Sequence, residues 1–323
     1  MGAIGRPRDS SVEGCCGVVG SLVPIIVFAT WVFGPSALLV VVTCVIAAVG
    51  TERVLAGTRP VRDGSAAITG ILLGLTLPPG FPLWMAALGG VVAIAAGKAI
   101  FGGLGQNVFN PALVGRAFLQ AAFPTAITTW PAARASWWSL AGDNFAAPFM
   151  HGVDGVTAAT PLGLMKFEQQ GTALYDLALG TTGGSIGETA GVLILLCGGY
   201  LALRGHLDWR VPVAIMATVA ALATLFHAVD PARYPDAGFM LFSGGLMLGA
   251  VYMATDMVTS PVTRAGAWVF GVGIGALVVL IRLWGGLPEG VMYSILLMNA
   301  LVPFINRATR PRVFGTARRG ATA

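Results

Sequence analysis

Charge is what this sequence lacks. Of 323 residues only 10% are Asp, Glu, Lys or Arg, while 56% are hydrophobic; soluble domains carry about 25% charged residues. Residues 14–51, 64–97, 99–115, 189–203, 237–255 and 265–281 contain no charged side chain. A water-soluble globular domain is thereby excluded. Cysteine is scarce as well. Cys15, Cys16, Cys44 and Cys197 form no CxxC pair, and none lies within 124–186, so neither a disulfide framework nor a Cys-only iron–sulfur site is supported. Cys44 and Cys197 fall in apolar runs, where a thiol serves as a small hydrophobe. The three histidines, His151, His206 and His227, lie far apart without metal-ligand spacing, and His206 is expected in a solvated loop. Walker A sequences, G-x-S-x-G elbows and paired catalytic carboxylates are missing too. A soluble-type hydrolase or kinase has nothing to stand on.

What the chain has is apolar length, with a mean hydropathy of +0.80. A helix needs about 20 apolar residues to cross ~30 Å of hydrocarbon, and the uncharged runs supply that alone or as hairpins. The first apolar run continues to Val49, too long for a cleaved signal peptide, so the N-terminus is expected to be retained. Helices are expected near 17–33, 37–50, 65–77, 83–101, 112–123, 187–203, 211–228, 238–254, 265–283 and 290–305. Gly34-Pro35, Pro78-Pro79-Gly80 and Trp284-Gly285-Gly286 punctuate them. The expected class is therefore an all-α polytopic membrane protein with about ten spanning segments. Segments 65–77 and 112–123 are too short to span and are expected as broken or tilted helices, tolerated where neighbouring protein satisfies the freed backbone.

Basic residues set the expected orientation. With a cytoplasmic N-terminus, Arg6, Arg8, Arg53, Arg59, Arg62, Arg204, Arg210, Arg264, Arg307, Arg310, Arg312, Arg318 and Arg319 share one side, 13 of the 19 Lys and Arg. That asymmetry follows the positive-inside rule and puts both termini in the cytoplasm. The net charge of +5 then reports topology, and no nucleic-acid partner is expected. The layout is a five-helix half over 1–123, an external loop over 124–186, a second five-helix half over 187–306 and a basic tail over 307–323. An odd number of helices reverses direction, so two such halves would be inverted repeats. Short echoes join them: Gly102-Gly103-Leu104 with Gly285-Gly286-Leu287, and Asn110-Pro111-Ala112-Leu113 with Met298-Asn299-Ala300-Leu301.

Three stretches stand out as candidates for chemistry. Gly97–Leu113 is glycine-rich and ends in Asn110-Pro111, a pattern that ends an irregular loop and opens a helix whose N–H groups attract polar ligand atoms; a plain re-entrant turn is the alternative. Tyr252–Thr263 is polar and Pro-broken, and Asp256 within it is a costly charge near hydrocarbon or a capping residue. The third is Asp154-Gly155-Val156-Thr157-Ala158-Ala159-Thr160 in the external loop, which as a bare pattern is a surface Asx or Ser/Thr turn.

That third stretch resembles the Asp-x-x-Ser/Thr-Gly-Ala-Thr acceptor pattern for covalent flavinylation, with Ala158 where the pattern has glycine. Gly97–Leu113, Met253-Ala254-Thr255-Asp256 and Ser260-Pro261 extend the likeness over residues from about 17 to 315. Over that span the chain resembles the family that unites the D subunit of the Rnf electron-transport complex with the B subunit of the sodium-translocating NADH:quinone reductase. The short N-terminus and compact length look more like the Rnf member. The resemblance implies a urea-transporter-like fold of two inverted five-helix repeats. It also implies FMN bound through a phosphoester to Thr160, with Asp154, Thr157 and Ala159 as recognition positions for a flavin transferase. It further implies electron transfer within a complex of membrane and flavoprotein subunits that couples ferredoxin–NAD chemistry to sodium or proton transport in the bacterial inner membrane. Some members hold a noncovalent riboflavin in the helix bundle, which no residue here assigns; Asn107 and Asn110 are further candidate cofactor-binding positions. A solute channel of the same fold and a purely structural scaffold are the rival classes.

Overall fold

The computed structural model describes residues 9–56, 63–103, 105–130, 141–147, 160–168, 171–180, 183–188, 191–231, 233–286 and 289–311. Every regular element among them is helical. In the first half these are α1 (Asp9–Phe33), α2 (Pro35–Ala56), α3 (Ser65–Leu75), α4 (Leu83–Ile94, continued as a π-helix over Ala95–Ala99) and α5 (Pro111–Ala122). The second half holds α6 (Gly191–Leu203), α7 (Arg210–Val229), α8 (Ala237–Phe242), α9 (Leu246–Leu248, continued as a π-helix over Gly249–Met253), α10 (Arg264–Trp284) and α11 (Val291–Ala308). Short helices at Pro124–Ile127, Pro161–Gly163 and Leu174–Leu179 lie between the halves.

Among the described residues, five helices are long and apolar enough to cross a bilayer: Gly14–Phe33 within α1, together with α2, α7, α10 and α11. Three shorter apolar helices, Ser65–Leu75, Leu83–Ala99 and Gly191–Leu203, pack among them. At 1.5 Å rise per residue, α2 alone extends ~33 Å, enough for the hydrocarbon layer. Val27, Ile46, Leu196, Leu225, Leu280 and Phe304 point outward and are exposed, as residues facing lipid must be. The chain is a polytopic membrane protein.

Close packing rests on glycine. A Cβ added at Gly70 or Gly74 of α3 would lie 2.6 Å or 2.7 Å from the Cα of Val45 or Val41 on α2. Across the second half, Gly271 and Gly275 of α10 bring that helix onto Ala214, Ile215 and Thr218 of α7. Small residues at such contacts allow the backbone approach by which membrane helices associate.

Three features differ from the expectation. The helix expected at 37–50 runs on to Ala56, so Glu52 and Arg53 lie within α2. The helix expected over 238–254 is interrupted at Ser243–Gly245, where Gly244 takes φ +67°. His206, expected in a solvated loop, is half-buried, with its ring against Gly14 and Gly17 of α1. The breaks at 65–77 and 112–123 are as expected: α3 has 11 residues and α5 has 12.

Candidate functional sites at the two ends of the bundle

The stretch 102–110 folds as an irregular loop because its glycines allow it. Gly102, Gly103 and Gly105 have φ of +105°, +103° and +91°, a region that side chains with a Cβ rarely enter. The loop delivers Asn110 to the N-cap of α5, where its side-chain oxygen accepts from the N–H of Ala112 at 3.0 Å and of Leu113 at 3.4 Å. Pro111 follows at the first helical position, where its missing N–H costs nothing. The Asn110 amide nitrogen meanwhile donates to the Met253 carbonyl at 3.1 Å. Asn299 of α11, with its amide oriented to suit both neighbours, donates to the Thr259 carbonyl at 3.3 Å and accepts from the Asn110 N–H at 3.2 Å. The glycine-rich loop and the 252–263 segment thus meet through two buried asparagines.

Between them opens a cavity of about 480 Å³, within the ~300–1,000 Å³ range of small-molecule sites. Asn107, Asn110, Ser65, Thr69, Lys98, His206, Tyr252, Thr255 and Asp256 are among its polar lining residues, and apolar side chains such as Val18, Ile68, Leu72 and Val251 supply most of its wall. Lys98 is 4% exposed and forms a buried ion pair with Glu52, also donating to the Ser65 hydroxyl at 2.6 Å. Its charge is therefore neutralised within the wall. Asp256 turns back on its own loop, accepting from the Val258 N–H at 3.3 Å and the Thr259 hydroxyl at 3.2 Å, and burial pushes its carboxyl up. The π-helical stretches Ala95–Ala99 and Gly249–Met253 both abut this cavity; such bulges are frequent at functional sites.

A second pocket, about 280 Å³, begins two residues after Thr160. Leu162, Met165, Lys166 and Phe167 form one side; Arg233, Tyr234, Phe239, Arg282 and Trp284 form the other. The segment reaches this position because Thr160 caps the Pro161–Gly163 turn, its Oγ1 accepting from the Gly163 N–H at 3.1 Å, and because Leu162 packs with Leu177 and Phe239. Thr160 is 8% exposed. Lys166 donates to the Gly285 carbonyl at 2.5 Å, and burial lowers its ammonium pKa. Three cations and four aromatic rings around one pocket suit an anionic, planar ligand. Asp154, Thr157 and Ala159, with Ala158, lie outside the described residues.

The two sites occupy opposite ends of α10. Asp256–Val258, just before that helix, line the cavity; Arg282 and Trp284, in its last turn, line the pocket. The 18 residue steps from Arg264 to Arg282 span ~27 Å. The 141–147 segment docks at the pocket's end of the bundle: the Ala141 N–H donates to Ser36 Oγ at 2.9 Å, and Asn144 donates to the Pro79 and Phe81 carbonyls, both at 3.0 Å.

Sequence reasoning missed a group of four charges behind the pocket. Arg116 of α5 donates to the Glu289 carboxylate at 2.6 Å and to the Thr76 carbonyl at 2.5 Å. Arg282, 4% exposed, donates to the carbonyls of Met240 at 2.5 Å and Ser243 at 2.8 Å. Glu188 faces Glu289 within hydrogen-bonding reach. The available signal was an acidic residue standing immediately before an apolar run, at both Glu188 and Glu289.

The chain as a whole is similar to known proteins. It is 45% identical over 312 residues to the D subunit of the proton-translocating ferredoxin:NAD(+) oxidoreductase complex of Clostridium ljungdahlii, covering 92% of this chain and 90% of that one. It is 42% identical over 325 residues to the D subunit of the ion-translocating oxidoreductase complex of Stutzerimonas stutzeri, covering 93% and 91%. With the D subunit of the Na(+)-translocating ferredoxin:NAD(+) oxidoreductase complex of Acetobacterium woodii it shares 40% over 321 residues, covering 97% and 93%. The model of the NQR2, RnfD, RnfE family matches residues 6–315, and the chain belongs to that family.

Proposed function

We propose that this chain is the flavin-carrying membrane subunit of an ion-translocating ferredoxin:NAD+ oxidoreductase complex, with FMN joined to Thr160 through a phosphoester. The observation that carries the reading is that Thr160 caps the short turn whose Leu162 lines a pocket walled by Lys166, Arg233, Arg282 and four aromatic rings. A threonine oxygen there tethers the phosphate, and the rings of Phe167, Tyr234, Phe239 and Trp284 offer faces and edges to an isoalloxazine. The flavin supplies one- and two-electron redox chemistry; the protein supplies position and electrostatics. Lys166, Arg233 and Arg282 favour the charged phosphate and any anionic state of the ring.

The cavity at the other end suits a different flavin. Its single lysine is already paired with Glu52 and its wall is mostly apolar, which favours an uncharged ligand over a phosphorylated one. Riboflavin has no phosphate; Asn107 lines the cavity with an amide of the kind its ring edge needs, while Asn110, committed to Ala112, Leu113 and Met253, shapes the wall. Two flavin sites ~27 Å apart along α10 would place redox groups near opposite faces of the membrane.

The basic residues orient the chain with both termini in the cytoplasm of a bacterial inner membrane and the 124–186 loop outside. The halves 1–123 and 187–306 are then inverted repeats. In both, one long helix, α2 or α7, packs on the helix that precedes the last, α4 or α10, which supports that reading. Membrane and flavoprotein subunits, a flavin transferase and surrounding lipid are the partners. Coupling of electron flow to sodium or proton movement follows the names of the relatives.

Thr160 is almost fully buried and its hydroxyl is engaged by Gly163, so the transferase must reach it before the Pro161–Gly163 turn docks. In-gel fluorescence of the denatured chain, made alongside a flavin transferase, tests the assignment. Native chain should fluoresce, Thr160→Ser should fluoresce more weakly, and Thr160→Ala should be dark while still inserting in the membrane. Covalent flavin retained by Thr160→Ala would move the attachment elsewhere.

A further inference from the structure

Behind the Thr160 pocket, polar atoms are left without partners in a way that points to a ligand. Glu188 Oε2 accepts from the Ser185 N–H at 3.3 Å, whereas Oε1 is buried and no N–H or hydroxyl among the described residues donates to it. Arg282 gives both terminal nitrogens to backbone carbonyls, leaving Nε buried and unpartnered among them. Ser243, 0% exposed, has an Oγ in the same condition. Arg282 and Glu188 both reach the helix break at Ser243–Gly245, to which Ser243 itself belongs. A Cβ on Gly244 would lie 3.2 Å from an Arg282 terminal nitrogen, and one on Gly245 would lie 3.6 Å from Glu188 Oε1. Buried polar groups left this way call for a bound water or ion.

The two carboxyl groups define which. Glu188 and Glu289 approach within hydrogen-bonding reach, yet ionised carboxylates are acceptors only, so the contact requires a proton on one of them. Metal cations are disfavoured because two guanidiniums, Arg116 and Arg282, flank the pair. We propose that Glu188 and Glu289 share one proton and, with a water held by Ser243 Oγ and Arg282 Nε, form a buried proton-exchange site behind the Thr160 pocket.

The groups facing the pair come from every element around it. Arg116 reaches in from α5 and holds Glu289; Arg282 comes from α10; Ser243 follows α8; the Thr76 carbonyl caps the end of α3. Lys166 touches the Gly285 carbonyl, three residues beyond Arg282. Burial and the neighbouring Glu289 carboxylate push Glu188 well above its ordinary value, the direction a retained proton requires. Burial also raises Glu289, but Arg116, the hydrogen bond with Glu188 and Arg282 together hold it below its ordinary value. Because Arg282 belongs to both the proton site and the pocket wall, negative charge entering the pocket draws on the same guanidinium that faces the pair. That coupling rests on the flavin reading; the shared proton does not.

Infrared difference spectroscopy of the chain in its complex, in nanodiscs, with exchange into heavy water, tests both parts. Native protein at pH 7 should show a deuterium-sensitive protonated-carboxyl band that disappears in Glu188→Gln, whose amide mimics the protonated acid and preserves the fold. Ser243→Ala should shift this band without removing it, by taking away a water ligand. Thr160→Ala should keep the band but lose any change in it on reduction. No difference between native protein and Glu188→Gln from acid to alkaline pH would overturn the site. Loss of the band on adding sodium at constant pH would overturn it in favour of a cation. A band present but unchanged by reduction in native protein would refute only the coupling to the pocket.

Discussion

The side chain of Asn110 donates to the carbonyl of Met253 at 3.1 Å, across 143 residues of sequence, while its oxygen caps α5. One amide thereby holds a helix start and the unwound end of α9 together over the larger cavity. Asn110→Ala should cost ~1 kcal/mol for the lost cap and a further ~1–3 kcal/mol for the buried Met253 carbonyl left unpaired. Asn110→Asp keeps the cap and removes only the donor, facing a carboxylate to a carbonyl. Both variants should weaken retention of the riboflavin proposed for that cavity, read by chromatography of the cofactor extracted after purification. Retention of full flavin in Asn110→Asp would show that the bridge to Met253 does not shape the cavity.

Lys98 and Glu52 form an ion pair with both side chains almost wholly buried, at 5% and 3% exposure. Removing one partner strands the other charge, so Lys98→Ala should destabilise the chain by ~3–5 kcal/mol. The double change Lys98→Met with Glu52→Leu should recover most of that loss, since a buried pair is often replaceable by apolar residues of similar volume. Thermal unfolding in detergent distinguishes the two. Equal melting of the single and double variants would mean that lost packing, not an uncompensated charge, sets the cost.

The polytopic class was legible in the uncharged runs, and the broken elements at 65–77 and 112–123 in their lengths. Asn110-Pro111 announced its cap, because capping is local chemistry. The partners of these residues were not legible. Glu52 and Lys98 are 46 positions apart, and Glu188 and Glu289 are about a hundred, so only tertiary packing brings them together. The break at Ser243–Gly245 was read as continuous helix because Gly and Ser are common inside membrane helices; what opens it is the demand of Arg282 for the Met240 and Ser243 carbonyls. Thr160 was expected on an open loop, whereas packing of Leu162 against Leu177 and Phe239 buries it.

Stability should carry the signature of Glu188. Its folded pKa lies above the ordinary value of 4.5 because of burial and the Glu289 carboxylate, so folding favours its protonated form. That contribution is fully present below 4.5 and is lost as pH rises through the elevated folded value. Glu188→Gln, which carries no titrating proton, should therefore melt with a flatter alkaline limb than native protein. Parallel alkaline limbs in the two proteins would assign the pH dependence to other groups.

Gly244 is the residue on which the Thr160 segment rests. Its φ of +67° is left-handed backbone, and a Cβ there would lie 2.6 Å from Leu162 Cδ1. Gly244→Ala should thus incur ~1–2 kcal/mol of backbone strain and also push Leu162 out of its contact with Leu177 and Phe239. Displacing Leu162, which lines the pocket, loosens the turn that Thr160 caps two residues earlier. The flavin attachment proposed at Thr160 should survive, because the acceptor hydroxyl is intact, but that flavin should become more accessible to a soluble quencher such as iodide. Limited proteolysis between 160 and 168 should accelerate in parallel. The double change Gly244→Ala with Leu162→Ala separates the two effects: it removes the clash but keeps the strain, so it should not restore protection, since the anchoring side chain is gone. If Gly244→Ala lowers the melting temperature yet leaves quenching and proteolysis unchanged, the break serves only the helix, and the Leu162–Gly244 contact does not dock the flavin segment.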